Sequence, residues 1–233
     1  ELSVFRIPPI CLVSTGDELV NIEQTPAPHQ IRSSNAVALR AILAKWAMEI
    51  DHQHILDDEK KVRRTITKLL SKYQIIIFMG GSSMGKFDFI PGILRKSGVT
   101  EHFYKIKQRP GKPMWFGSKG NQFVFALPGN PVSCFLCAER YVDAWLRHSL
   151  GIKQRVNKAI LRRSFDFKPA LSYFLQVKLT NENGCLFADP IPGSGSGDHA
   201  NLANTDAFME LPEGKDSYRE GEQFHVFPFK PIL

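Results

Sequence analysis

Residues 73–79 read YQIIIFM and run directly into residues 80–88, GGSSMGKFD. An unbroken apolar run with a polar start and a glycine end fits a strand buried on both faces, the central kind found in parallel sheets. The glycine stretch matches the first seven positions of the phosphate-loop pattern G-x-x-x-x-G-K-[ST], but Phe87 stands where a hydroxyl would ligate Mg²⁺. Asp88 and Pro91 follow too soon for the long helix of a phosphate loop, and no acidic residue closes a hydrophobic strand as the second nucleotide motif requires. The stretch is therefore no nucleotide loop, although its glycines still let backbone N–H groups approach an anion.

The neighbouring segments alternate strand and helix. PPICLVSTG (8–16) reads as another buried strand, MEIDHQHIL (48–56) alternates like a strand, and pieces at 101–107 and 121–127 are strand-like. A helix is expected from about Ser34, with Ser33 or Ser34 as cap and Leu39, Leu43, Trp46 and Ile50 on its stripe. Residues 57–73 place Val62, Ile66, Leu69, Leu70 and Tyr73 on one helical face. Residues 88–97 fit a short helix, and a last long helix begins near Pro131. Such alternation predicts a three-layer α/β fold with a mostly parallel sheet, and in such folds ligands sit at the carboxyl ends of the strands. STGDE, GGSSMGKFD and LPGNP all fall there. After Gly151 short β-type runs (154–167, 172–180, 184–189, 205–211, 221–228) are separated by Gly, Pro and Asn turns, predicting a small all-β, barrel-like domain. The expected domains are 1–150 and 151–233, with PIPGSGSGDHAN (190–201) as a loop inside the second.

The formal net charge is +7, and residues 1–150 carry all of it, with 20 Lys and Arg against 13 Asp and Glu. A basic first part suits an anionic ligand, although Lys60, Lys61, Arg63, Arg64, Lys68 and Lys72 read as one solvated helix face. No run approaches a membrane span, and no aromatic-studded basic strand marks a nucleic-acid binder. The start, ELSVFRIPPICLV, is not expected to be a signal peptide, and a first residue other than Met predicts a piece of a longer protein. Four cysteines are too few for a disulfide framework at 233 residues. Cys134 and Cys137 read as core thiols on one helix face, and the expected compartment is the reducing cytoplasm.

Candidate chemistry clusters in four places. TGDEL (15–19) puts two carboxylates after the first strand, LDD (56–58) puts more after the second, and Asp88 follows the glycine stretch. Carboxylates on adjacent loops can hold hydrated Mg²⁺, while Asp57 or Asp58 as a helix cap, Asp17 as a turn residue and Asp88 as a cap are the structural alternatives. KIKQRPGKP (105–113) would present Lys105, Lys107 and Arg109 on one strand face with Lys112 beyond. LPGNP (127–131) opens a helix with free N–H donors.

Together TGDEL, GGSSMGKFD, RPGKPMWFG, LPGNPVS and, further on, GSGSGDHANLANTDAFMELPEG resemble the MoeA family of molybdopterin molybdotransferases, to which the gephyrin E domain is related. The resemblance implies a MogA-like molybdopterin-binding α/β domain followed by the family's C-terminal β domain. Two further N-terminal domains of full-length members are not seen in this sequence. It implies insertion of molybdate into adenylylated molybdopterin with release of AMP, Mg²⁺ as cofactor, and a homodimeric full-length protein in transient contact with other cofactor-biosynthesis proteins. By the same resemblance Glu18, Asp57, Asp88 and Lys105 are catalytic, with Asp57 and Asp88 on the metal and Asp58 an alternative register for Asp57. Gly80, Gly81, Ser83, Arg109, Lys112, Pro128, Pro131 and Ser133 would bind the pterin nucleotide or molybdate. Arg109 stands where many members have Lys, which keeps the charge and changes the hydrogen-bond geometry. The competing readings are a MogA-like adenylyltransferase, against which the appended β domain speaks, and a non-catalytic scaffold of the gephyrin E-domain type.

Overall fold

The computed structural model of the chain describes residues 7–80, 89–153, 157–193, 195 and 198–231. The chain divides into two compact units, Glu1–Ile106 with Pro113–Asn130, and Lys107–Lys112 with Pro131–Leu233. The segment expected to close the first domain, residues 131–150, thus groups with the second unit.

The first unit runs through β1 (Ile10–Thr15), β2 (Leu19–Val20), β3 (Ile31–Arg32), α1 (Ser34–Leu43), β4 (Ile50–Ile55), α2 (Glu59–Lys72), β5 (Ile75–Met79), α3 (Ile90–Lys96) and β6 (Thr100–Tyr104). After β7 (Gln108–Arg109), which belongs to the second unit, it continues with β8 (Trp115–Lys119) and β9 (Gln122–Leu127). Six of these strands form one sheet in the order β4-β1-β5-β9-β8-β6. Strands β4, β1, β5 and β9 are mutually parallel, and β8 is antiparallel to both neighbours. Every residue of β1 and of β5 is buried, as two-sided coverage demands. Alternate residues Cys11, Val13, Ile76, Phe78, Val124 and Ala126 meet Val62, Ile66 and Leu69 of α2 on one face. The two-residue strand period and the helix stripe thus interlock. Helix α2 is capped by Asp58, whose side chain accepts the Lys61 N–H at 3.0 Å.

Three expectations fail locally. Helix α1 stops at Leu43, because a 3₁₀ turn over Ala44–Trp46 ends in left-handed Ala47, so Ile50 opens β4 instead of completing a helical stripe. Strand β8 was not foreseen, since its sequence WFGSK carries a glycine mid-strand and ends in polar residues. The proposed cationic strand face does not exist. Strand β6 ends at Tyr104, Lys105 takes φ +66, and Arg109 lies on the separate strand β7.

The second unit contains β7, α4 (Pro131–Cys137), α5 (Asp143–Ser149), β10 (Asn157–Leu161), β11 (Phe165–Asp166), β12 (Ser172–Glu182), β13 (Cys185–Pro190), α6 (His199–Asn204), β14 (Ala207–Leu211), β15 (Ser217–Tyr218) and β16 (Gln223–Pro228). A π-helical stretch, Ala138–Val142, joins α4 to α5. The order β13-β10-β16-β14-β12 closes through β12–β13 pairing into a five-stranded barrel. Leu161, Leu175, Val177, Met209 and Val226 fill its interior. The alternate residues Phe174 and Phe208 point the other way and receive Val132 and Leu136 of α4, which is why the helix belongs to this unit. Within the segment expected to be loop, α6 forms, capped by Asp198 through the Asn201 N–H.

Tyr218 is fully buried in the barrel, and its hydroxyl donates to the Pro212 carbonyl at 2.6 Å, with the Lys215 carbonyl 3.2 Å away. Tyr218→Phe removes the donor to these two carbonyls and is expected to cost about 0.5–1.5 kcal/mol. Urea unfolding at constant m value checks this.

Candidate functional site

Parallel pairing brings the loops after β1, β4, β5 and β9 to one edge of the sheet. Strand β6 runs in the same sense, since it is antiparallel to β8 and β8 is antiparallel to β9, so Lys105 also emerges at this edge. Along the edge stand Asp57 after β4, Asp17 and Glu18 after β1, Gly80 after β5, Pro128 after β9 and Lys105 after β6.

The acidic end is built by direct contact. The Asp57 N–H donates to Asp17 Oδ1 at 3.0 Å, tying the two loops together. His54 Nε2 lies 2.8 Å from the Gly16 carbonyl. A carbonyl only accepts, so the imidazole carries a proton on Nε2. Burial, and then the charges of Asp17 and Glu18, push the Asp57 carboxyl above its usual range. Three acids crowded at the ends of two adjacent strands repel one another, and a cation relieves that repulsion. Carboxylate oxygens suit a hard ion such as Mg²⁺, which keeps several of its waters. Among the described residues no three His, Cys, Asp or Glu side chains converge into a complete metal centre.

Among the described residues, the middle of the edge is closely packed glycine backbone. Gly80 has φ +102, and a Cβ there would stand 3.0 Å from Thr15 Oγ1 and 3.2 Å from the Thr15 carbonyl. Its N–H donates to the Leu127 carbonyl at 3.1 Å. A Cβ on Gly129 would lie 3.5 Å from the Gly80 Cα. The loops after β1, β5 and β9 therefore touch main chain to main chain, a surface that a flat ligand can approach closely. Asn35 Nδ2 donates to the Gly129 carbonyl at 2.8 Å and holds the LPGN turn against the start of α1. Pro128 is buried, while Gly129 and Asn130 are exposed.

Lys105 closes the far end, exposed, with Nζ 5.0 Å from the Tyr104 ring centroid. Five strand-to-strand steps separate β4 from β6. At about 4.8 Å per step, Asp57 and Lys105 stand about 24 Å apart along the edge. They cannot act on one atom, and an elongated ligand is needed to meet both.

The other expected residues are placed as follows. Gly81, Ser83 and Asp88 lie outside the described residues. Arg109 and Lys112 are exposed in the second unit, Arg109 paired in register with Tyr173 of β12. In the same unit Pro131 opens α4, and Ser133 is only 4% exposed. Sequence reading passed over the linking role of Asp17, the tether of Asn35, and the histidines of edge strand β4. His52 Nε2 is 2.8 Å from Ser14 Oγ, and its pKa is lowered by burial and then by Arg40 and His54. These residues line part of a groove of about 560 Å³ whose apolar wall includes Leu19, Ile22 and Val37. Only the alternation of IDHQHI hinted at them, and alternation alone does not distinguish a tether from a solvent face.

The fold and these motifs match known proteins over almost the whole chain. Residues 11–148 match the family described as probable molybdopterin binding domain, and residues 158–229 match the MoeA C-terminal region (domain IV). The chain is 37% identical to a molybdopterin molybdenumtransferase of Synechocystis sp. over 98% of this chain and 57% of the relative. It is 29% identical to that of Bacillus subtilis over 96% of this chain and 53% of the relative. The crystal structure of the molybdopterin biosynthesis MoeA protein from Pyrococcus horikoshii superposes with a TM-score of 0.80 at 28% identity, covering 98% of this chain and 56% of that one. The chain thus spans a little over half the length of the relatives it matches. By sequence, by fold and by both of its regions, it belongs to the MoeA family of molybdopterin molybdenumtransferases.

Proposed function

We propose that the chain carries the substrate-binding and catalytic part of a molybdenum insertase, which places molybdate into adenylylated molybdopterin and releases AMP. One observation carries the reading: among the described residues a single sheet edge has acids at one end, closely packed glycine backbone in the middle and a lysine about 24 Å away. Adenylylated molybdopterin has matching parts, a flat pterin and an anionic pyrophosphate ahead of a nucleoside. In this reading the Gly80–Gly129 surface receives a planar part of the substrate, and Glu18 hydrogen-bonds its polar groups. In the first unit Lys105 supplies positive charge for phosphate oxygens, with Gly81 and Ser83 as further contacts, and the second unit by itself offers Arg109 and Lys112, with Pro131 and Ser133, to oxyanions such as molybdate or phosphate. Asp57 and Asp88 would hold Mg²⁺, which would supply positive charge against the pyrophosphate. We further propose that the full-length enzyme is homodimeric and cytoplasmic.

The test is Mg²⁺-dependent, molybdate-stimulated AMP release from adenylylated molybdopterin by the full-length protein. Asp57→Asn and Lys105→Ala are each expected to lower kcat by about 10²-fold, the usual scale for one electrostatic group. Full activity in both removes the site assignment, and no release by the wild type removes the enzyme reading.

A second prediction follows from the crowding at Asp57. Its folded pKa is raised, so its protonation favours the folded state. That contribution is full below the ordinary carboxylate pKa and is lost as pH rises through the raised value. Asp57→Asn is therefore expected to raise the melting temperature at pH 7, with the gain shrinking toward zero as pH falls below about 4. Thermal melts across that range check it, and equal melting temperatures at pH 7 would exclude the repulsion.

A further inference from the structure

The sequence RPGKP carries two cations, yet the residue before it is buried. Gln108 is 1% exposed, and its amide meets three partners. Gln108 Nε2 donates to the Pro110 carbonyl at 3.0 Å and faces Cys137 Sγ at 3.8 Å, while Oε1 accepts from the Tyr141 hydroxyl. The orientation is forced: the Pro110 carbonyl only accepts, so the NH₂ group must face it and Tyr141 must be the donor. Cys137 Sγ in turn donates to the Gly111 carbonyl at 3.7 Å. Gly111 has φ +91, and a Cβ there would lie 2.7 Å from both Cys137 Sγ and Gln108 Nε2, so the turn rests directly on these side chains.

Two further features mark the arrangement as more than core filling. Tyr141 lies inside the π-helical stretch Ala138–Val142, a register change that is concentrated at functional sites. A buried polar network also costs desolvation that an apolar contact would avoid, and in return fixes one geometry. Burial holds the Cys137 thiol well above its usual pKa, with Cys134 adding to the effect and the Gln108 hydrogen bond opposing it, so the thiol keeps its donor proton. On the opposite side the limb is anchored by strand pairing, Gln108 with Ser172 and Arg109 with Tyr173, and by the Lys107–Glu213 ion pair at 3.1 Å. What remains exposed is Arg109 and Lys112, two cations on either side of an immobilised Pro-Gly turn.

We infer that Gln108, Tyr141 and Cys137 are positioning residues that hold the turn at Pro110 and Gly111 rigid, so that Arg109 and Lys112 form a preorganised limb for oxyanions. The identity of the anion rests on the insertase reading, whereas the rigidity of the limb does not. Preorganisation lowers the entropy lost on binding, so its removal shows in affinity more than in turnover.

The test uses the full chain with Tyr141→Phe, Gln108→Leu and, as comparator, Lys112→Ala. Three readouts are taken: backbone order parameters at Gly111 and Lys112, molybdate titration followed at the Lys112 amide, and KM and kcat of AMP release by the full-length protein. In Tyr141→Phe the order parameters are expected to fall from about 0.85 toward 0.6. Molybdate affinity is expected to weaken and KM to rise about tenfold, with kcat within about twofold. Lys112→Ala weakens molybdate binding while leaving the Gly111 order parameter unchanged. Unchanged order parameters in both network variants overturn the inference, as does a loosened turn that binds molybdate as tightly as before. If Gln108→Leu fails to fold, Tyr141→Phe, which removes a single hydroxyl, decides. If the wild type releases no AMP, the insertase reading falls, and the order parameters with the molybdate titration judge the limb by themselves.

Discussion

Strand β5 is hydrogen-bonded to β1 on one side and to β9 on the other, all three running the same way, and every residue from Ile75 to Met79 is buried. A buried strand has no water for its N–H and C=O groups, so each must find a neighbouring strand. Parallel neighbours then deliver their following loops to the same edge. Once Ile10 faces Ile75 and Ile75 faces Phe123, the register carries Thr15, Gly80 and Pro128 to one height at the end of the sheet. The glycine contacts at that height depend on this pairing. Gly80 can approach Thr15 only because neither β1 nor β5 can slip by a residue without turning buried side chains to the wrong face.

The same constraint explains why charge is arranged as it is. Strand β4 flanks β1, so the acids that end these strands are neighbours, and Asp57 is held against Asp17 and Glu18 at an electrostatic cost. Strand β6 is the last in the order, so its lysine is kept far from those acids although both emerge at one edge. Repulsion at one end and separation from the countercharge at the other are both unfavourable to stability, and on the proposed reading a bound ligand offsets them.

Much of this was legible in the residues. The apolar runs at 10–13 and 75–79, the amphipathic stripe of Val62, Ile66 and Leu69, and the glycines after β5 announce themselves by period and composition. The turn-separated β runs likewise announced the second domain, though not that β12 and β13 close it into a barrel. Long-range partners stayed hidden. Nothing local says that Asn35 reaches Gly129, 94 residues away, or that His54 secures Gly16. The misread face of Lys105, Lys107 and Arg109 has a definite cause. Lys105 adopts a left-handed backbone that its side chain does not advertise, and one such residue ends the strand and cancels the alternation.

The two units solve the problem of holding charge in different ways. In the first, the acids at the strand ends are kept in place by backbone geometry and by one side-chain link, Asp17 to the Asp57 N–H, and burial together with their mutual repulsion still raises the Asp57 pKa against the opposing pull of His54. In the second, the cations Arg109 and Lys112 stand on a turn whose carbonyls are held by neutral groups, an amide and a thiol, with a phenol fixing the amide in turn. Neutral donors are suited to that task. A buried carboxylate under the turn would pair with the cations and compete with any anionic ligand, whereas an amide fixes the main chain and leaves the positive charge unspent. Gln108, Tyr141 and Cys137 therefore separate two requirements that a salt bridge would merge, rigidity of the turn and availability of its charge.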